Sequence, residues 1–276
     1  MEKFISVILP TYNGSSGIKC AIESVLSQSF SNFEIIVIDD GSTDNTKELI
    51  FSLQEIDNRI VYVKNEFNLG IQKTLNKGLS LAKGEYIARI DDDDEWIDKD
   101  KLKKQVEFLS INKDYLLIGT NAIICDEKKQ ELGRYLLKED DQSIRSRMLS
   151  RNCFIHPSIL ASKEAITRVG GYSESEAVKH IEDYELWLKL GCIGKLANIN
   201  TLSVYLTIHS GSITFKNRLI QARRMMIISR NYRKNYPNFF IGQVILLLRI
   251  IGFMFLKFIP FPKKIIYKIQ KLYKEY

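Results

Sequence analysis

Histidine is scarce in this 276-residue chain, with three in all, and its four cysteines lie far apart. Cys20, Cys125, Cys153 and Cys192 have neither metal-ligand spacing nor a disulfide-rich pattern, so reduced thiols in a cytoplasmic protein are expected. No basic stretch followed by an apolar signal segment opens the chain. Met1-Glu2-Lys3-Phe4 leads straight into an apolar run, and no export signal is expected. There is no Gly-rich loop closed by Lys and Ser or Thr, and no G-x-G-x-x-G after the first apolar run. Internal repeats and low-complexity segments are also missing. Acid is almost absent from the end of the chain. From Phe215 onward fourteen Lys or Arg accompany one acid, Glu275, so this part carries +13 and the rest −6 of the net +7. An acidic body with a basic, apolar tail points to two tasks, and such a tail suits an anionic membrane face better than nucleic acid.

The chain is 45% apolar, enough for a real core. Residues 4–9, 34–38, 60–63 and 86–90 are short apolar runs that read as strands. Between them, helices are expected from Ile18 to Leu26 and over 43–54 and 69–83, the last capped by Gly84. Strands that are nearly all apolar and alternate with helices indicate a parallel sheet covered on both faces. Beyond residue 98 the pattern loosens. Helices are expected over 99–109 and 181–190, strands over 115–118 and 158–161, a hairpin over 126–133, and one or two strands over 196–208.

Four adjacent acids, Asp91 to Asp94, follow the fourth strand. Carboxylates at the end of a buried strand repel one another unless a cation joins them. Hard ions such as Mg²⁺ and Mn²⁺ take carboxylate oxygen and bridge to phosphate. An EF-hand starting at Asp91 would need Gly at 96 and Glu at 102, where the chain has Trp96 and Leu102. A solvated acidic loop is the plainer alternative. In a parallel sheet the loops Pro10-Thr11-Tyr12-Asn13, Asp39-Asp40-Gly41-Ser42 and Asp91–Asp94 share one edge, where ligands of such sheets bind. The Tyr12 face can stack on a base, and a carboxylate such as Asp40 can accept from a base N–H or a ribose hydroxyl. Turn chemistry and helix capping explain the second loop equally well.

These segments resemble glycosyltransferase family 2. The resemblance rests on residues 7–13, 38–44 and 84–94, together with Gln28, Phe30 and Asn68-Leu69-Gly70, and covers about 4–212. It implies a GT-A fold, a Rossmann-like, mostly parallel sheet flanked by helices. It further implies a nucleotide-sugar donor, expected to be UDP-linked, a divalent metal, Mn²⁺ or Mg²⁺, and inversion at the anomeric carbon. The family's Asp-X-Asp motif maps to Asp91-Asp92-Asp93, with Asp93 the expected metal ligand and an extra acid at Asp92. Pro10, Tyr12, Asp40, Asp91 and Asp92 are the expected donor contacts. Glu182-Asp183 resembles the pair that opens a helix and supplies the catalytic base, a role carried to Asp183, with Glu182 on the acceptor side. First-turn acids favouring the helix dipole are the alternative. His209 is expected near the metal or pyrophosphate and His156 toward the acceptor. The loop Gly170-Gly171-Tyr172 resembles one that shapes the acceptor pocket.

The expected organisation is a catalytic domain over 1–215, with a donor half at 1–98 and an acceptor half at 99–215, and a helical membrane-associating extension over 216–276. In the apolar segment 239–259, Gln243, Arg249 and Lys257 fall within an arc of roughly 120° at helical spacing. They are expected to face headgroups at the inner face of the cell membrane. A helix packed on the catalytic domain or in an oligomer is the alternative. The expected function is hexosyl transfer to a saccharide or lipid-linked saccharide in surface polysaccharide synthesis, without nucleic acid. A nucleotidyltransferase, or a non-catalytic basic module binding membrane or nucleic acid, stands as the rival.

Overall fold

The structure, a computed structural model, describes residues 3–208 and 213–256. Four parallel strands build the first half: β1 (Ile5–Thr11), β2 (Phe33–Asp39), β3 (Ile60–Lys64) and β4 (Tyr86–Arg89), in the order β3-β2-β1-β4. Every residue of β1 and β2 is buried, as covering on both faces requires. Alternate residues serve opposite layers. Val7 and Leu9 pack in the layer of α1 (Ile18–Leu26), whereas Ile8 packs in the layer of α3 (Ile71–Leu81). The register pairs Thr11 with Asp39 and Ile8 with Arg89, so the loops that follow all emerge at one edge.

The second half is mixed. It contains β5 (Glu95–Trp96), α4 (Lys101–Ile111), β6 (Tyr115–Cys125), β7 (Glu131–Tyr135), α5 (Asp141–Arg145), β8 (Leu160–Ser162), α6 (Lys163–Arg168), α7 (Glu182–Gly191) and β9 (Lys195–Thr207). Among the described residues nine strands form one sheet, continuing β4-β8-β6-β9-β5 with β7 paired to β6. β6 runs far past Ile118 because β9 pairs with its whole length in parallel. The hairpin is present, and 195–207 is one strand.

Two local expectations change. The second helix, α2 (Thr46–Gln54), starts later than 43 because the Asp44 carboxylate takes the Thr46 N–H and hydroxyl, which ends a turn there. Gly84 does not cap α3, whose C-cap is the extended Ala82. Gly84 instead lies so close to the first strand that a Cβ would meet Ser6 N at 2.5 Å and Phe4 O at 2.8 Å.

The tail reverses a further expectation. α8 (Ile213–Asn231) and α9 (Phe239–Leu256) pack on each other and on the body. Tyr236, between them, donates its hydroxyl to Leu188 O of α7 at 2.7 Å. Gln243 and Arg249 face inward rather than toward headgroups: Gln243 Nε2 donates to Ser229 Oγ at 2.9 Å and Arg249 Nη1 to Ser150 O at 2.9 Å. Buried carbonyls and a hydroxyl offer these polar groups partners, so the helix turns its polar arc to the protein. Its exposed row is Phe240, Ile241, Val244, Leu247, Leu248, Ile251, Met254 and Phe255. Lys257 lies outside the described residues. Among the described residues no helix is long and apolar enough to cross a membrane.

Gly84→Ala should destabilise the protein by about 1–3 kcal/mol through backbone overlap. A lowered urea midpoint is the expected reading; an unchanged midpoint would show that the 4–6 segment can give way.

Candidate active site

The first two loops are tied together. Asn13 takes a left-handed φ of 53°, its N–H donates to Ser42 Oγ at 2.9 Å, and its Oδ1 accepts from Thr43 N at 2.8 Å. Asp39 is fully buried and builds the turn, accepting from Ser42 N and from the Tyr62 hydroxyl, both at 2.7 Å. Asp40 accepts from Asn65 Nδ2, Leu69 N and Gly70 N, and so fixes the Asn68-Leu69-Gly70 loop. Those bonds use three of about four acceptor positions on its carboxylate. Pro10 is buried at the strand end, while the Tyr12 ring is half exposed and available as a stacking surface.

The acids after β4 divide their tasks. Asp92 turns toward the first loop, where Oδ2 accepts from the Thr11 hydroxyl at 2.5 Å. A Cβ at Gly14 would overlap both that oxygen and the Thr11 hydroxyl, so a side chain there would displace this bond. Burial, with the neighbouring Asp93 and Asp91 charges, pushes the Asp92 carboxyl up to about 7 against the pull of the Thr11 hydroxyl. Asp91, Asp93 and Asp94 each offer one oxygen within 4.8 Å of the others. Asp94 Oδ1 accepts from Thr207 N at the end of β9, and Oδ2 is buried without a hydrogen-bond partner. Burial and then the Asp93 and Asp91 charges hold Asp94 well above the usual carboxylate range. Three converging carboxylates with an orphaned buried oxygen fit a hard divalent cation. His209 lies outside the described residues.

Across the site, Asp183 in the first turn of α7 is partly buried, and its Oδ2 accepts from Asn152 Nδ2 at 2.6 Å. Burial raises its pKa, against bonds from the Tyr184 N–H and Asn152 and the charge of Arg89. Glu182 is buried, with Oε2 unpartnered, and burial and Asp183 raise it too. His156 Nε2 shares a hydrogen bond with the Tyr172 hydroxyl at 2.8 Å, and its ring meets Trp187 edge-on at 5.6 Å. Burial and then Arg89 hold its pKa well below the ordinary histidine value, so the ring is neutral. Gly170 and Gly171, at φ 84° and 66°, turn the chain so that Tyr172 reaches this layer.

Arg89 links the two sides. It is buried at the end of β4, its guanidinium grips both oxygens of Asp91, and its charge acts on Asp94, Asp183, Glu182 and His156. Sequence reasoning missed Arg89, Asn152 and the separate part of Asp94. A charged residue inside the apolar run 86–90 was the one available signal.

Residues 6–170 match the family described as Glycosyl transferase family 2. The chain belongs to glycosyltransferase family 2. Within the family, EpsE of Bacillus subtilis (strain 168), named as a glycosyltransferase, is 34% identical over 186 residues, covering 67% of this chain and 66% of that protein. The chain thus spans just under two thirds of that relative's length. WfaP of Escherichia coli, named a UDP-Glc:alpha-D-GlcNAc-diphosphoundecaprenol beta-1,3-glucosyltransferase, is 31% identical over 213 residues, covering 77% of this chain and 80% of that one. The structure is similar to the mannosyltransferase PcManGT from Pyrobaculum calidifontis in complex with GDP-Man and Mn²⁺. The TM-score is 0.69 at 17% identity, covering 89% of this chain and 70% of that one. At that identity the likeness shows the fold, which is the GT-A fold.

The raised Asp92 pKa has a definite sign in stability. Protonated Asp92 favours the folded state below about pH 4, and that contribution is lost as pH rises toward about 7. In excess chelator the parent's urea midpoint should fall across this window, and that of Asp92→Asn should fall less. Parallel curves would contradict the assignment.

Proposed function

We propose that this chain is a metal-dependent, inverting hexosyltransferase. It moves a sugar from a UDP-linked donor to a saccharide or lipid-linked saccharide in surface polysaccharide synthesis. The observation that carries the reading is one sheet edge that joins three carboxylates suited to a cation with a separate, Asn152-held carboxylate, Asp183. The donor named for WfaP and the Mn²⁺ named with PcManGT support the UDP and metal assignments.

Tyr12 stacks on the base, and Pro10, Asp40, Asp91 and Asp92 border the nucleotide. Asp93, with Asp91 and Asp94, would hold Mn²⁺ or Mg²⁺; the resemblance adds His209. The bound ion would offset the charge that the leaving nucleoside diphosphate gains. Asp183 takes the proton of the attacking acceptor hydroxyl, and its raised proton affinity suits that task. Asn152 holds Oδ2 and so fixes the orientation of this carboxylate. Glu182 and His156 flank the acceptor. Attack by the hydroxyl opposite the leaving group inverts the anomeric centre. The exposed apolar row of α9, with the basic tail, supports a peripheral position on the inner face of the membrane. The division into a catalytic unit at 1–215 and an extension at 216–276 belongs to the same reading.

Asp93→Ala should abolish nucleotide release from a UDP-sugar and weaken donor binding without lowering the melting temperature. Full activity of the variant, or of the parent in excess chelator, would refute the metal assignment. Asp183→Asn should slow transfer roughly 10²–10⁴-fold while donor affinity, read by calorimetry, changes little. Near-normal turnover would move the base to Glu182.

A further inference from the structure

A cavity of about 200 Å³ opens between the start of α9 and residues 146–151. That is well above the roughly 10–15 Å³ that one water needs. Arg147 and Arg151 line it together with Leu149, Ile241 and Ile245, and none of its lining residues is acidic. Asn238 fastens one side by donating to Ser146 O at 3.1 Å. Arg249 lies behind the same segment, on Ser150 O. The local field is positive: burial pushes the Cys153 thiol up to about 12, and the charges that oppose burial there are Arg151, Arg147 and Arg249.

Two further placements define what the cavity is built to take. Ile241 both lines it and belongs to the exposed apolar row of α9, so the cavity mouth continues into an apolar surface. Arg151 precedes Asn152, the residue bonded to Asp183, and neighbouring Cα atoms are only about 3.8 Å apart. The segment that walls the cavity thus runs directly into the residue that holds Asp183. Guanidinium forks match phosphate oxygens, and an apolar row matches a hydrocarbon chain.

We propose that this cavity holds the phosphate of a polyprenyl-linked acceptor, with Arg147 and Arg151 on the phosphate oxygens and the prenyl chain along the exposed face of α9. The proposal rests on the glycosyltransferase reading above and names the acceptor subsite of that reading. The lipid anchor fixes the phosphate, and the attached saccharide extends past Asn152 toward Asp183.

The test is flotation of the full chain with phosphatidylcholine vesicles that contain polyprenyl phosphate, or phosphatidylglycerol at equal surface charge. Recovery should be greater with polyprenyl phosphate. Arg147→Ala, at a half-buried position, should lower that recovery about tenfold, the scale of one lost charge-assisted bond, with the melting temperature retained. Arg147→Lys should restore part of it, and Ile241→Asp should lower recovery on both vesicle types. Equal recovery on the two lipids, or binding indifferent to Arg147, would overturn the proposal, as would a dimer formed through α9 that binds neither. Nucleotide release from UDP-sugars by the same preparation separates the two readings. Release without selective flotation removes the lipid subsite alone. Arg147-dependent flotation without release on any UDP-sugar removes the UDP-donor reading and leaves a lipid-phosphate site.

Discussion

Arg89 closes on both oxygens of Asp91 from the end of a buried strand, and the charge balance of the site turns on that contact. Asp91 to Asp94 and the pair Glu182-Asp183 bring six carboxylates to one edge, several of them shielded from water. Burial raises the proton affinity of Asp92, Asp94, Glu182 and Asp183, and repulsion from neighbouring acids adds to it at the first three. One guanidinium opposes that tendency on Asp94, Glu182 and Asp183 at once. Loss of Asp91 is costly, because the buried Arg89 left behind is a charge without compensation. The acids can then lie close together at this edge.

The loops are fixed before any ligand arrives. Asp39 and Asp40 use their oxygens on Ser42, Tyr62, Asn65, Leu69 and Gly70, while Asn13 ties the first loop to the second. Asn152 does the same for Asp183 from a different segment. Such bonds hold side chains and backbone in place, which is where a preformed site saves the entropy of ordering on binding.

The C-terminal helices connect this site to their own surface. Tyr236 anchors the link between them on α7, the helix that carries Glu182 and Asp183, and α9 grips the segment that leads into Asn152. A close backbone approach makes the grip tight: a Cβ at Gly242 would meet Leu149 O at 2.9 Å. The extension is thus joined to the walls of the catalytic region, and its outward face is apolar.

Much of this was legible in the residues. Apolar runs that alternate with helices specified the parallel half, because strands buried on both faces must be apolar throughout. The loop motifs identified the family, and a shared sheet edge brought them together as expected. Other features depend on groups distant in sequence. That Asp40 serves the 68–70 loop, that Asn152 reaches Asp183, and that Arg89 faces Asp91 rather than solvent are matters of tertiary placement. Periodicity divided α9 into a polar arc and an apolar row, yet it could not say which side faces the protein. Hydrophobic patterning assigns faces to a helix, but their direction is set by the partners that the fold supplies. Here Ser229 and the Ser150 carbonyl drew Gln243 and Arg249 inward.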